Sequence, residues 1–334
     1  MKKCILLLYG GMEESEISCI SAKYIRDTLS SFLDMEIIPA YLTKSFDMFQ
    51  NEDFSNRTFL ESQRIEFSIG SILINNKKIK IDYCIPCIHG QPGENGDIQP
   101  ILEFYKIPYL GNNSETSKMC FNKITTKLWI EKIGIPTTPY EIVTEYDDED
   151  SIIKKYHKLG EKVFIKTSSQ GSSIGCYPAN DLDSLKNAIK QSRQYGPYTL
   201  IEKSVRAREI EIAVFEYKNE LVVTKPGEVL NQHLFYSYDA KYSSTSTAKT
   251  TLNPPLTIEE KEIFTKFSKI IFKALKLKDL SRIDYFLLES GEIYLNEINT
   301  FPGLTKISLF PQLLETSNLT FKNYLVDRIN NLEK

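Results

Sequence analysis

The sequence predicts an α/β unit on a parallel sheet over roughly residues 1–112, followed by an α+β region. Three observations carry this. Near the N-terminus short apolar runs alternate with helical periodicity, the pattern of strands joined by crossover helices. After residue 112 the pattern changes to short strands and helices and then to longer paired strands. The length of 334 residues suits two or three domains with ample buried core.

Taken in order, residues 3–9 form an apolar strand ending at Gly10-Gly11, and 16–33 follow with helical periodicity. Residues 36–41 and 81–88 read as further strands, and the polar segment 45–80 as a hairpin or insertion. Residues 97–106 read as a helix and Tyr109-Leu110-Gly111 as a short strand. Asn122 precedes a helix over 123–133 that stops at Gly134, with Pro136 beyond. Strand 139–144, helix 149–159, strands 162–166 and 174–177, helix 181–194 and strand 198–203 come next. Residues 206–217 and 220–225 read as paired strands and 227–256 as a loop, Ser/Thr-rich from Ser243 to Thr251. Helix 257–276 precedes two strands, one holding Arg282-Ile283-Asp284-Tyr285-Phe286 and one starting at Glu292. A helix near 321–332 closes the chain.

Composition narrows the function. Lys and Arg number 41 against 44 Asp and Glu, a net charge of −3, so no basic field calls for nucleic acid or an anionic membrane. The run Cys4-Ile5-Leu6-Leu7-Leu8-Tyr9 is too short for a signal-peptide core, and no run approaches the ~18 apolar residues of a membrane helix. A soluble cytoplasmic protein is expected. Six scattered cysteines read as reduced thiols. Cys84-Ile85-Pro86-Cys87 with His89 nearby has redox or zinc spacing, but it ends a buried strand, where cysteine is an ordinary small apolar residue.

Candidate chemistry gathers at strand ends. In parallel sheets ligands sit at the carboxyl ends of strands. There the first unit carries Gly10-Gly11 with Glu13, Glu14 and Glu16, and later His89-Gly90 and Gly93-Glu94-Asn95-Gly96. Phe164-Ile165-Lys166-Thr167-Ser168-Ser169-Gln170-Gly171-Ser172-Ser173-Ile174-Gly175 is a strand, a small polar loop and a strand. Its glycines and serines allow backbone N–H groups close to phosphate, with Lys166 as a point charge; a plain hairpin turn is the other reading. Ile201-Glu202-Lys203-Ser204-Val205 and Arg208-Glu209 can offer backbone to an adenine and an acid to ribose, or form a strand with a charged outer face. Phe235-Tyr236-Ser237-Tyr238-Asp239-Ala240-Lys241-Tyr242, with three tyrosines and a lysine, looks like a lid, or a loop packing its own aromatics. In Asn296-Glu297-Ile298-Asn299, alternation puts Glu297 and Asn299 on one face; with Asp284 they make an all-oxygen set suited to Mg²⁺.

In this order and spacing, over nearly the whole chain, these segments resemble the D-alanine–D-alanine ligases of the ATP-grasp superfamily, with Pro302-Gly303-Leu304-Thr305 completing the set. The resemblance implies a Rossmann-like domain at 1–112 and a two-part ATP-grasp fold, a central subdomain at 113–205 and a C-terminal one at 206–334. It implies ATP-dependent joining of two D-alanines through a D-alanyl phosphate, for peptidoglycan precursor synthesis, in a cytoplasmic homodimer. ATP and two Mg²⁺, replaceable by Mn²⁺, would be the cofactors. Lys123 and Lys166 would hold ATP phosphates under Ser172 and Ser173. Glu202, Lys203 and Val205 would meet adenine and Glu209 the ribose. Asp284, Glu297 and Asn299 would hold the metals. Glu14 would meet the first ammonium, with His89 near. Arg282, Gly303, Ser308 and Leu309 would meet the second carboxylate or the developing oxyanion. Lys241 would face the γ-phosphate, and Glu14, Ser172 and Tyr242 would close the lid. The chain departs from the family pattern in a Gly-Gly-Met-Glu-Glu-Ser-Glu segment shorter by one residue, in Asn122 where an acid commonly stands, and in Lys306-Ile307.

Tyr242 favours D-alanine over D-lactate as acceptor within that resemblance. D-serine is the nearest other acceptor, and ligation of other carboxylates or nucleotide binding without turnover are the remaining readings.

Overall fold

The computed structural model describes residues 2–230 and 249–331. Its first part holds β1 (Lys3–Gly10), α1 (Ser15–Leu29), β2 (Met35–Leu42), β3 (Met48–Gln50), β4 (Ile65–Ser68), β5 (Ser71–Ile74), β6 (Lys77–Lys80), β7 (Tyr83–Pro86) and α2 (Ile98–Phe104). β1 is central because Ile5 to Tyr9 are apolar on both faces and fully buried. β2 and β7 flank it in parallel and β3 adds an antiparallel edge, giving the order β3–β2–β1–β7. The polar insertion is an antiparallel three-stranded sheet, β4–β5–β6. Tyr109 makes only one bridge, to Cys84, instead of the expected strand; at Gly111, with φ of 110°, the chain turns away toward Asp279.

Next come α3 (Ser114–Phe121), α4 (Lys123–Lys132), β8 (Tyr140–Val143), α5 (Glu149–Leu159), β9 (Val163–Thr167), β10 (Cys176–Ala179), α6 (Leu182–Ser192) and β11 (Thr199–Lys203). The antiparallel order is β10–β9–β11–β8. Apolar faces of α5 and α6 cover this sheet, with Ile152, Tyr156, Leu185 and Ile189 packed on Val143, Ile165 and Ile201. The amphipathic period of each helix supplies that stripe.

The third part holds β12 (Ala207–Tyr217), β13 (Glu220–Val223), β14 (Gly227–Leu230), β15 (Lys249–Thr251), α7 (Ile258–Ala274), β16 (Leu280–Leu288), β17 (Ile293–Asn299), α8 (Leu309–Glu315) and α9 (Phe321–Asn330). The path is β15–β14–β12–β16–β17, with β13 paired to β12. The 227–256 segment, read as loop, therefore contains two strands; Glu228 on β14 is held bidentately by Arg208 of β12, at 2.8 and 2.7 Å. One core joins the N-terminal sheet, through Ile5, Leu7 and Ile85, to Phe215, Phe310 and Tyr324. No helix among the described residues is long and apolar enough to cross a membrane.

Candidate active site

The end of β1 begins the site. Gly10 has φ of 102°, and a Cβ there would lie 2.4 Å from the Leu42 carbonyl oxygen, so only glycine fits. The Gly10 N–H donates to Ser18 Oγ at 2.8 Å, and that hydroxyl donates to the Cys87 carbonyl at 2.5 Å. These bonds tie β1 to the loop after β7. Of the three acids, Glu13 and Glu16 are exposed and Glu14, just before α1, is buried. A Cβ at Gly90 or Gly171 would meet its Oε1 at 3.4 or 3.3 Å, so two backbones from different sheets pack against this carboxylate. His89 lies beside it, buried, with Nε2 2.8 Å from Ser21 Oγ and Nδ1 3.6 Å from Glu94 Oε1. Burial opposes its charge, yet Cys87 and Glu94 outweigh that and push the imidazole up to about 10. Burial also pushes the Glu94 carboxyl up.

The β9–β10 loop supplies the second wall. Ser172 and Ser173 take φ of 50° and 60°, successive left-handed residues whose N–H groups can form an anion-binding nest. Asn122 caps α4 by accepting from Thr125 N at 3.0 Å, and its amide donates to Ser169 Oγ at 3.1 Å. The Lys123 N–H donates to Ser168 O at 2.7 Å, and its ammonium donates to Gln170 O. The start of α4 and the loop are thus one unit.

Below the loop, Glu202 on β11 receives Lys166 on Oε2 at 2.7 Å and Lys127 on Oε1 at 3.1 Å. Burial raises a carboxyl, but the two ammonium groups prevail and hold Glu202 at about 2. Burial pushes Lys127 down, whereas for Lys166 the Glu202 charge outweighs burial and pushes it up.

The third wall is β12–β16–β17. Register sets Glu211, Asp284 and Glu297 side by side across three strands, and Arg282 opposite Asn299. The Arg282 guanidinium donates to both Asp284 oxygens at 2.8 Å, and its Nε lies 2.9 Å from Glu211 Oε2. Asn299 Nδ2 donates to Asp284 Oδ2 at 2.9 Å.

A cleft of about 730 Å³ is lined by Glu14, His89, Lys123, Ser172, Arg282, Glu297, Asn299 and Gly303, all expected site residues. An adjoining space of about 340 Å³ is lined by Glu209, Glu211, Asp284 and Glu297; Glu297 belongs to both. Four carboxylates on one small space are chemically suited to hard divalent ions. Among the described residues no three acids, imidazoles or thiols converge into a self-sufficient metal cage.

Lys166, Ser173, Glu202, Lys203, Val205, Ser308 and Leu309 line neither space. Lys203 is exposed at the end of β11. Ser308 Oγ is 2.7 Å from Thr305 Oγ1, behind Gly303, and Leu309 is buried in the core. Lys241 and Tyr242 lie outside the described residues. Cys84 and Cys87 are fully buried, as an apolar strand end requires. The sequence reading assigned no role to Lys127, Glu94 or Glu211. Lys127 carried a signal, standing four residues after Lys123 on one helix face, and Glu211 stands two after Glu209 on one strand.

The family model for the D-ala D-ala ligase N-terminus matches residues 4–112, and that for the D-ala D-ala ligase C-terminus matches 129–330. A D-alanine–D-alanine ligase of Aeromonas salmonicida (strain A449) is 44% identical over 326 residues, 96% of each chain. The solved D-alanyl-alanine synthetase A of Vibrio cholerae has a TM-score of 0.90 at 38% identity, covering 99% of this chain and 98% of its own. The VanG D-Ala:D-Ser ligase of Enterococcus faecalis superposes with a TM-score of 0.87 at 25% identity, over 98% of this chain and 99% of its own. The two family models, the curated relative and the shared ATP-grasp fold agree: this chain belongs to the D-alanine–D-alanine ligase family.

Proposed function

We propose that the chain joins two molecules of D-alanine into D-alanyl-D-alanine, with ATP hydrolysed to ADP and phosphate, through a D-alanyl phosphate. One observation carries this: a single cleft gathers an anionic clamp at Glu14, cationic and backbone donors at Lys123 and Ser172, and Arg282, Glu297 and Asn299. A carboxylate is a poor electrophile, and phosphorylation gives it a leaving group. Phosphoryl transfer is chiefly a matter of position and charge neutralisation. The first D-alanine presents its ammonium to Glu14, with His89 beside it. Lys123, Lys166 and the backbone at Ser172 and Ser173 hold the phosphates; Glu202, Lys203 and Val205 border the adenine and Glu209 the ribose.

The family uses ATP and a divalent metal; we assign two Mg²⁺, replaceable by Mn²⁺, to Asp284, Glu297 and Asn299. When bound, such ions neutralise the phosphates and draw the transferring group into line. Arg282 is aimed by Glu211 and Asp284 so that its guanidinium, with the Gly303 N–H, receives the oxyanion formed as the second amine attacks. Ser308 and Leu309 supply backbone and hydroxyl groups behind Gly303 for the second carboxylate. Lys241 faces the γ-phosphate, and Glu14, Ser172 and Tyr242 close the site against water, which would hydrolyse the acyl phosphate. The same reading divides the chain at 1–112, 113–205 and 206–334 and makes it a cytoplasmic homodimer serving peptidoglycan precursor synthesis.

The 44% identity to a D-alanine–D-alanine ligase against 25% to a D-Ala:D-Ser ligase supports D-alanine as acceptor. The test is product analysis with ATP, Mg²⁺ and D-alanine, alone or with D-serine or D-lactate. D-Alanyl-D-alanine with stoichiometric ADP is expected. ADP formation independent of any D-amino acid, or preferential formation of the mixed product, overturns the reading.

A further inference from the structure

Lys127 is an unusual residue for the inside of a protein. Its side chain is 3% exposed, on the second turn of the helix that Lys123 opens. Each of its three donors is used: Thr137 Oγ1 at 2.7 Å, the Thr138 carbonyl at 3.2 Å and Glu202 Oε1 at 3.1 Å. Its ammonium also lies 5.0 Å from the centre of the Tyr140 ring. Thr137 is itself anchored to the Leu295 carbonyl at 3.2 Å, on the strand that bears Glu297. Nothing in this arrangement lets Lys127 reach the cleft. What it reaches is Glu202, whose other oxygen carries Lys166 at 2.7 Å, and Lys166 in turn lies 3.5 Å from Asn296 Oδ1.

The charge count explains the purpose. Lys127, Glu202 and Lys166 sum to one positive charge; without Lys127 the remaining pair sums to zero. A buried carboxylate with a single cation for a partner would also draw that cation in with both oxygens. We propose that Lys127 is a positioning residue for nucleotide binding: by occupying Oε1 of Glu202 it restricts Lys166 to Oε2 and keeps a net positive charge facing the phosphates. This rests on the reading that Lys166 holds ATP phosphates. Lys127 touches no nucleotide atom itself.

A residue needed only for packing would weaken all ligands of the pocket alike. A residue acting through Lys166 would weaken phosphate binding selectively and would do so most strongly while Glu202 is charged. The test is equilibrium binding of ATP and of adenosine, measured calorimetrically, to the full chain and to Lys127→Met, Glu202→Gln, the double variant and Lys166→Ala. Lys127→Met should weaken ATP by about tenfold or more, the scale of one charge-assisted contact, and adenosine by less than about threefold. On the Glu202→Gln background only the charge is lost and no restraint on Lys166, so adding Lys127→Met should cost ATP affinity at least about threefold less than it does in the native chain. That double variant removes Lys127 together with the carboxylate it serves and leaves Lys166, 15% exposed, with Asn296 Oδ1 at 3.5 Å, so the comparison with Glu202→Gln stands even if Lys127→Met alone does not fold. Equal losses for ATP and adenosine, or an undiminished loss on the Glu202→Gln background, overturn the inference. If Lys166→Ala weakens ATP and Lys127→Met does not, the inference alone fails. If Lys166→Ala leaves ATP binding intact, the phosphate reading of Lys166 fails and takes this inference with it.

Discussion

Among the described residues Glu297 is the one side chain that borders both the open cleft and the acidic space beside it, next to the strands that carry Asp284 and Glu211. Glu297→Gln keeps the shape and removes the charge. It should leave nucleotide binding nearly intact and lower turnover by about a hundredfold or more, read as ADP release against nucleotide affinity. Wild-type turnover would remove the metal assignment. Glu202 makes a different prediction. Its carboxyl is held at about 2 against an ordinary 4.5, so the fold gains full stability from it above pH 4.5 and loses that as pH falls toward 2. The scale is on the order of 3 kcal/mol. Urea unfolding between pH 5 and pH 3 should steepen with acid in the native chain and flatten in Glu202→Gln. Alternation along a strand made the Glu297 and Asn299 face legible from sequence. The partners of Glu202 were not, because Lys127 and Lys166 lie 75 and 36 residues away and meet it only through packing.

Among elements, the α4 N-terminus was readable because Asn122 is a capping residue and Gly134 a stop. Its second role was not readable: the same amide holds the β9–β10 loop through Ser169. Asn122→Ala should therefore cost about 1 kcal/mol in urea denaturation, as a lost cap does, and weaken ATP binding besides. A stability loss with unchanged ATP affinity would separate cap from loop. Helix α3 escaped the reading because Ser114-Glu115-Thr116-Ser117 resembles a polar loop; its start is set by the Asn113 side chain, which accepts from Thr116 N at 2.9 Å. Helix α8 is short and carries Pro311 in its first turn. Strands β14 and β15 are short; β14 pairs with β12 and β15 with β14, and pairing, not local pattern, makes them strands.

At the scale of the molecule, the N-terminal sheet and the C-terminal helices are joined by one buried polar junction. Asp279 accepts from Gly111 N at 2.8 Å through Oδ2 and from Arg328 at 3.2 Å through Oδ1, while its carbonyl accepts from Tyr324 at 3.2 Å. Asn112 extends it by donating to the Leu280 and Thr300 carbonyls at 3.0 and 2.9 Å. Burial raises the Asp279 carboxyl, so its partners are what justify a charge there. Asp279→Ala would leave Gly111 N–H without its acceptor and Arg328 with Asp327 and Glu216 alone. A loss of about 3 kcal/mol in chemical denaturation is expected; a loss under 1 kcal/mol would show that the apolar core alone holds these parts together.

By itself the sequence determined the fold class, the family and the residue types of the cleft, because strand alternation, glycine-bearing turns and ordered motifs are local and leave a local imprint. The tertiary structure alone decided which acid of Glu13, Glu14 and Glu16 turns inward, that Arg282 is aimed by Glu211 and Asp284, and that Glu202 stands between two lysines. Those choices depend on distant segments meeting in a dry interior, where charge must be matched across space and no window along the chain contains both partners.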